Sequence, residues 1–498
     1  MFKKILIANR GEIAIRVARA CKEMGIKTVG VYSTADKESL YLRYCDEAVC
    51  IGDPAPLSSY LNIPVIIDSA KKTGVEAVHP GYGFLAENPT FAKACEENSI
   101  IFIGPSAKAL ALVGDKVASR ITAKKIGAPI IPGMEISGRE IKDFLNMAKQ
   151  VGYPVIVKAA LGGGGKGMHI AKDDKELKES IEMSRREAKS AFGDESVYIE
   201  KYLEKPRHIE FQVLRDKHGN VVHLCERECS IQRRHQKIIE ETPSPVLTSQ
   251  LREKMGDTAK KIITAAEYVN AGTVEFLMDQ NKNFYFLEVN ARVQVEHPIT
   301  EMVTGIDIVK RQILIASGEK LDIKQGDVFQ RGHAIEARIY AEDPDNNFLP
   351  SPGKILFVQE PQGPGIRVDS GIYSGWNVPA HYDPILSKLI VWSESRLDTI
   401  ARTIQALNNY VILGIKTNIP FLKRIIETPQ FSKGELHTHF IDENLSSLLP
   451  KHENINVALI TAALQSLNKK QVSITEERIS LSETNPWLEI GKWEICFH

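Results

Sequence analysis

Little in this sequence marks an extreme environment. Cysteine is scarce and odd in number, with seven in 498 residues. A disulfide framework is therefore not expected to hold the fold, and free thiols in a cytoplasmic protein are. Net charge is absent, because Lys plus Arg and Asp plus Glu each total 63. That balance argues against bulk electrostatic binding to nucleic acid or an anionic membrane, and leaves room for a local basic cleft. No apolar run approaches the ~20 residues needed to span a bilayer. The opening MFKKILIANRGE has too short an apolar core for a secretory signal, and Asn9 and Arg10 interrupt it. What is present is ordinary globular usage, 43% hydrophobic and 25% charged. At roughly 150 residues per domain the length suggests about three domains.

Residues 3–8 (KKILIA) read as a buried strand. Ile13, Val17, Ala20, Cys21 and Met24 then share one face of a helix that Gly25 stops, and KTVGVYS returns as a strand. This β-α-β order predicts a parallel sheet. The first turn, Asn9-Arg10-Gly11-Glu12, lacks the dinucleotide fingerprint G-x-G-x-x-G. Farther on, HPGYGFLAEN (79–88) reads either as a structural turn or as a substrate-facing loop.

A second apolar strand, 154–160, carries Lys158. It runs into Gly162, Gly163, Gly164, Gly165, Lys166 and Gly167, after which Met168-His169-Ile170-Ala171 resumes an extended pattern. Consecutive glycines let backbone N–H groups approach an anion, and Lys166 adds a point charge. A Walker A loop is excluded, since Gly167 rather than Ser or Thr follows Lys166. Strand flanks on both sides predict a phosphate-covering flap. Residues 197–203 (VYIEKYL) read as an edge strand.

Residues 273–298 carry the strongest signal. Two strand-like runs flank Gln280-Asn281-Lys282-Asn283, predicting a β-hairpin. In the second run Leu287, Val289, Ala291, Val293 and Val295 alternate with Glu288, Asn290, Arg292, Gln294 and Glu296, so the polar set shares one face. Glu275 can lie across from Glu288. Two carboxylates plus an Asn oxygen suit Mg²⁺ or Mn²⁺ carrying nucleotide phosphates. An extended run from 288 to 296 spans roughly 26 Å, so the row bends or lines a cleft for more than one ligand. Between flap and hairpin, Arg233, Arg234, His235 and Lys237 suit a polyphosphate. Cys225 and Cys229 lack a partner couple at zinc spacing and read as free thiols, with Cys229 able to line the site.

Together these segments resemble biotin carboxylase, the ATP-grasp component of biotin-dependent carboxylases. The similarity is carried by KILIANRGEIAIRV, HPGYGFLAEN, KAALGGGGKGM, ECSIQRRHQKIIEE, FLEVNARVQVEHPITE and AIEARIYAEDP, and more weakly by YDPILSKLIVW and LGIKTNIPFL. The resemblance implies an α/β and α+β chain. It would have a Rossmann-like domain (1–114), linker helices with a mobile ATP-grasp lid (115–203), and a C-terminal ATP-grasp and biotin carboxylase domain (204–446). An extension of unassigned role follows (447–498).

The same resemblance implies residue roles. Lys116, Lys158, the Gly163–Gly167 flap with Lys166 and Met168, His208 and Gln232 match ATP-holding positions, with Glu200, Lys201 and Leu203 at the adenine. His235 and Lys237 match groups near the transferring phosphate. Glu275, Glu288 and Asn290 match a site for Mg²⁺ or Mn²⁺, with two ions expected. Arg292, Gln294, Val295 and Glu296 match the bicarbonate site. Tyr82 and Arg338 match positions at biotin, Arg338 near the ureido oxygen. Glu296 would deprotonate bicarbonate, which attacks ATP to give carboxyphosphate and then carboxybiotin, ADP and phosphate. Ala291 stands where the family often has Thr, and Lys166 where it often has Arg.

No Ala/Val-Met-Lys-Met biotin-attachment sequence occurs. The expected partners are therefore a separate biotin carboxyl carrier protein and a carboxyltransferase subunit. A homodimer is expected too, with Arg16, Arg19 and Glu23 at its interface. An acetyl-CoA or acyl-CoA carboxylase is the favoured context, with a two-subunit pyruvate or 2-oxoacid carboxylase as the alternative. The competing readings are a carbamoyl-phosphate synthase half and an inactive nucleotide-binding protein. In the extension, Val457, Ile460, Ala463 and Leu464 suggest a helix, of either a packed lobe or a docking element.

Overall fold

The computed structural model describes residues 1–134, 140–159, 168–234, 236–449 and 459–466. The chain divides into a unit spanning Met1–Leu448 and a unit spanning Leu449–His498.

The first lobe follows its hydrophobic periodicity. Strand β1 (Lys4–Ile7) leads into helix α1 (Gly11–Glu23) and strand β2 (Lys27–Ser33). Ile13, Val17, Ala20 and Cys21 are buried as one helical face, and Gly25 past the helix end takes φ +71°, which favours glycine. Strand β3 (Glu47–Gly52), helix α2 (Ile63–Thr73), strand β4 (Ala77–His79), helix α3 (Pro89–Glu97) and strand β5 (Ile101–Phe102) complete a parallel sheet of order β3-β2-β1-β4-β5. The parallel pairing expected from the first β-α-β unit is present, with Ile5 opposite Thr28 on one side and Ala77 on the other.

Helices α4 (Ala107–Gly114) and α5 (Lys116–Lys125) lead to a small antiparallel sheet. Its strands are β6 (Gly133–Met134), β7 (Val155–Ala159), β8 (His169–Ala171) and β9 (Val197–Lys201), in the order β6-β9-β7-β8. Helices α6 (Ile141–Val151) and α7 (Asp174–Phe192) supply Phe144, Ala148, Leu177 and Ile181 to its core. Strands β7 and β8 pair as predicted for the flanks of the glycine loop. The loop glycines and Lys166 themselves lie outside the described residues.

An eight-stranded antiparallel sheet carries the rest. It contains β10 (Arg207–Arg215), β11 (Val221–Arg233), β12 (Gln236–Thr242), β13 (Asn270–Met278), β14 (Phe284–Asn290), β15 (His333–Tyr340), β16 (Ile366–Ser370) and β17 (Ile385–Ser393). Their order is β14-β13-β10-β11-β12-β15-β17-β16. Helix α8 (Ser249–Ala265) packs Met255, Ala259, Ile262 and Ile263 against Ile209, Phe211, Val213, Val274 and Phe276. Period two then puts His208, Glu210 and Gln212 of β10, with Thr273 and Glu275 of β13, on the opposite face. A helix α9 (His297–Thr304) follows the hairpin. Among the described residues no helix is long and apolar enough to cross a membrane.

In the second unit, residues 459–466 are helical, and Leu459, Ile460 and Leu464 are exposed.

Candidate active site

The site is built on a row of charges that strand register alone assembles. Arg227 of β11 lies opposite Glu210 of β10, Glu210 opposite Glu275 of β13, and Glu275 opposite Glu288 of β14. The predicted hairpin and its facing carboxylates are therefore present. Arg227 is fully buried, which requires partners on all sides of its guanidinium. Its Nε donates to Glu210 at 2.5 Å, and its terminal nitrogens donate to Gln212, Thr273, Thr300 and Gln294 at 2.9, 3.1, 3.0 and 2.6 Å.

Lys237 of β12 reaches over this row. Its Nζ donates to Glu210 at 2.5 Å, and to Glu275 and Glu296 at 2.8 Å each. Burial opposes the lysine charge, but the three carboxylates hold its pKa well above the usual range. Glu296 bridges onward, because its second oxygen accepts from Arg338 at 2.8 Å while Arg338 Nε donates to Glu240 at 2.6 Å. Burial disfavours ionised Glu296, yet Lys237 and Arg338 keep it below the usual carboxylate range. Burial, partly offset by Arg338, pushes Glu240 up to about 7.

The predicted single strand from 288 to 296 bends. Strand β14 ends at Asn290, and Glu296 caps helix α9, whose first turn holds Pro298. The His297 N–H donates to the Gln294 carbonyl at 3.3 Å, closing the turn. Arg292 donates through Nε to Glu87 at 3.0 Å and through a terminal nitrogen to the Asn290 side chain at 3.0 Å. Glu87 also accepts the Ala291 N–H at 2.7 Å. The 79–88 loop thus holds residues 291 and 292 in place.

One cleft of about 500 Å³ collects most of the predicted residues. Lys116, Lys158, Met168, Glu200, Lys201, Leu203, His208 and Gln232 line one part. Lys237, Glu275, Glu288, Asn290, Arg292, Gln294, Val295, Glu296 and Arg338 line the rest. Lys158 donates to Glu200 at 2.6 Å, and Lys116 lies 3.7 Å from Glu288. His208 Nε2 lies 3.1 Å from Glu275; burial disfavours its charge, but the Glu275 carboxylate pushes it up to about 9.

Glu275 and Glu288 fit a divalent cation by their chemistry. Both offer hard oxygen donors, and Glu288 is pushed up by burial and then by the charge of Glu275 across the hairpin. His208, Glu210 and Glu275 also bring ligand atoms within 4.8 Å of one another.

One expectation is corrected. Arg233 and Arg234 turn away from Lys237. Arg233 pairs with Glu342 at 3.1 Å over the Phe348 ring, and Arg234 donates to Asn347 at 3.2 Å. Alternation along β11 and its turn separates neighbours that a charge count treats as one cluster. Arg16 is largely buried and paired with Glu301 at 2.8 Å and Asp307 at 2.6 Å within the chain. Arg19 and Glu23 are exposed. Cys229 is buried with its sulfur within 4.8 Å of carboxylate oxygens of Glu210 and Glu296, and burial raises its thiol well above the usual range. Tyr82 donates its hydroxyl to Glu12.

His235 and Gly163–Gly167 lie outside the described residues. Sequence reasoning passed over Glu210, Arg227, Glu240 and Glu87. Alternation in 207–213 could have flagged Glu210. Arg227, Glu240 and Glu87 carry no local signal, since their partners are distant in the chain.

Comparison with known proteins accords with this geometry. The domain family described as "Biotin carboxylase, N-terminal domain" matches residues 1–110. "Carbamoyl-phosphate synthase L chain, ATP binding domain" matches 115–324, and "Biotin carboxylase C-terminal domain" matches 336–443. The chain is 56% identical over 443 residues to a pyruvate carboxylase subunit of Methanothermobacter thermautotrophicus, covering 89% of this chain and 90% of that one. It is 52% identical over 442 residues to a biotin carboxylase of a Nostoc species, covering 89% and 99%. Among solved structures it resembles the biotin carboxylase domain dimer of the Hydrogenobacter thermophilus 2-oxoglutarate carboxylase, in complex with MgADP, ADP and bicarbonate. That likeness has a TM-score of 0.86 and 47% identity, covering 91% of this chain and all of that one. Matched over residues 1–110 and 336–443 by biotin carboxylase domains and over 89% of its length by a biotin carboxylase, the chain belongs to the biotin carboxylase family.

Proposed function

We propose that this protein carboxylates biotin at the expense of ATP, taking the carboxyl group from bicarbonate through carboxyphosphate. The observation that carries this reading is Glu296, a buried carboxylate held between Lys237 and Arg338 in one cleft with Lys116, Lys158 and the Glu275–Glu288 pair. The assigned domains are 1–114, 115–203, 204–446 and 447–498, with the boundaries expected above.

The residues divide the work by position. Lys116, Lys158, Met168, His208, Gln232 and the Gly163–Gly167 flap with Lys166 hold ATP. Glu200, Lys201 and Leu203 face the adenine. His235 joins Lys237 near the transferring phosphate. Glu275, Glu288 and Asn290 would hold Mg²⁺ or Mn²⁺, which neutralises phosphate charge when bound. Arg292, Gln294, Val295 and Glu296 hold bicarbonate, and Arg338 faces the biotin ureido oxygen, with Tyr82 behind.

Glu296 changes basicity as substrates arrive. Tied to two cations, it stays ionised and is a weak base. The γ-phosphate draws Lys237 away and the ureido oxygen draws Arg338 away. Glu296 is then a buried carboxylate that has lost its two hydrogen-bonded cations, and its proton affinity rises. It takes the bicarbonate proton as the bicarbonate oxygen attacks the γ-phosphorus. Carboxyphosphate breaks down to CO₂ and phosphate, the phosphate takes the biotin N1 proton while Arg338 offsets the charge on the ureido oxygen, and N1 attacks CO₂ to give carboxybiotin.

The biotin sits on a carrier protein, and a carboxyltransferase subunit uses the product. The working form is a cytoplasmic homodimer. An acyl-CoA carboxylase is the favoured context. A 2-oxoacid carboxylase is the second reading, supported by relatives named for pyruvate and 2-oxoglutarate.

ADP release is the test. It should depend on bicarbonate and rise when free biotin is added, and Glu296→Gln should lower it by about 10²–10⁴-fold. ATP cleavage indifferent to both bicarbonate and biotin would overturn the reading.

A further inference from the structure

The bicarbonate segment rests on a cation that does not line the cleft. Lys388, at the centre of β17, has a side chain with no exposure. A buried ammonium needs partners for its charge and donors. Register places Lys388 between Arg338 of β15 and Asp369 of β16. Its Nζ lies 3.2 Å from Glu12 of α1 and 3.8 Å from Asp369. Those carboxylates would satisfy the charge alone, and Asp369 already has Arg367 at 2.8 Å. Yet Nζ also donates to the Val295 carbonyl at 3.0 Å.

That bond has a geometric consequence. Val295 sits between Gln294 and Glu296, both on the cleft wall. Fixing its carbonyl fixes the 295–296 peptide plane, and in a trans peptide the Glu296 N–H points the opposite way. The Gln294 carbonyl is held separately by His297. Two successive carbonyls of the anion-facing turn, those of Gln294 and Val295, are therefore pinned. The other carboxylate oxygen of Glu12 accepts the Tyr82 hydroxyl, so a chain of contacts runs Tyr82–Glu12–Lys388–Val295.

We propose that Lys388 is the positioning residue of the bicarbonate segment, and that Glu12 ties this segment to the Tyr82 wall of the first lobe. The proposal rests on the reading of residues 292–296 as the bicarbonate site. Lys388 touches no substrate and acts through the orientation of Val295 and Glu296.

Two variants of the full chain test it. Lys388→Met removes the donor at similar volume but leaves Glu12 buried without its cation. The double variant Glu12→Gln, Lys388→Met removes both charges, and the introduced amide oxygen can still accept from Tyr82. Bicarbonate-dependent ADP release is measured with thermal unfolding of each protein. In the folded double variant the bicarbonate KM should rise about tenfold or more, and the ATP KM should stay within about twofold. A bicarbonate KM unchanged within about twofold overturns the proposal, as does an equal rise in both KM values. Failure of both variants to fold assigns Lys388 to stability alone and overturns it too. A wild-type protein without bicarbonate-dependent ADP release would instead overturn the functional reading, so the two failures are distinguishable.

Discussion

At the scale of single residues, the site is governed by burial and pairing rather than by the number of charges. Arg227 illustrates the point, because it touches no predicted substrate yet holds Glu210 and Gln294 in place. Arg227→Leu removes the buried guanidinium partner of Glu210 and strands several acceptors. It should destabilise the protein by about 3–5 kcal/mol, read from the denaturant midpoint. A loss under about 1 kcal/mol would mean the network relaxes around the gap. His79 gives a pH prediction. Its ring is buried, its Nδ1 accepts the Gly81 N–H at 3.1 Å, and burial lowers its pKa from 6.5 to about 3. Folded and unfolded states are both neutral at this ring above pH 6.5. As pH falls from 6.5 towards 3 the unfolded state alone binds the proton, and stability declines. Between pH 4 and 6 the stability of His79→Asn should fall less steeply than that of wild type, by about one bound proton. Parallel slopes would contradict the assignment.

At the scale of elements, close approach decides what a position tolerates. Gly256 lies in α8 against β11, where an added Cβ would come 2.4 Å from the His223 ring. Gly256→Ala should gain helix propensity of about 1 kcal/mol, yet destabilise by about 1–3 kcal/mol through displacement of His223. A raised Tm would refute this packing account. The same scale explains what could be read in advance. Helix α1, its parallel strands and the 273–290 hairpin were legible, because their apolar positions repeat at 3.6 or 2 residues. The facing of Glu275 and Glu288 followed from the hairpin turn. The turn at 291–296 was harder, since its polar residues keep strand parity while the chain leaves the strand before α9. Arg233 and Arg234 misled for a related reason. Adjacent residues on a strand point to opposite faces, so their charge is not shared. Glu87, Glu240 and Lys388 were silent, because each acts through a partner on another element.

At the scale of the molecule, the unit Met1–Leu448 contains the whole described cleft and its own hydrophobic cores, the largest of which ends with Leu448. A protein shortened to residues 1–449 should therefore keep free-biotin carboxylation within about twofold and its Tm within a few degrees. Loss of turnover on truncation would give the extension a structural role. The zero net charge conceals the arrangement on which the function depends. Cations at Lys116, Lys158 and Lys237 face carboxylates at Glu275, Glu288 and Glu296 in one cleft. The central claim is that bicarbonate, not water, attacks ATP there. The most direct measurement uses bicarbonate labelled with ¹⁸O in the full reaction with biotin. Attack on the γ-phosphorus makes a bicarbonate oxygen the bridge of carboxyphosphate, and breakdown at the carbon side leaves that oxygen on phosphate. Each phosphate released should carry one labelled oxygen; unlabelled phosphate, formed at the same rate, would rule out bicarbonate attack.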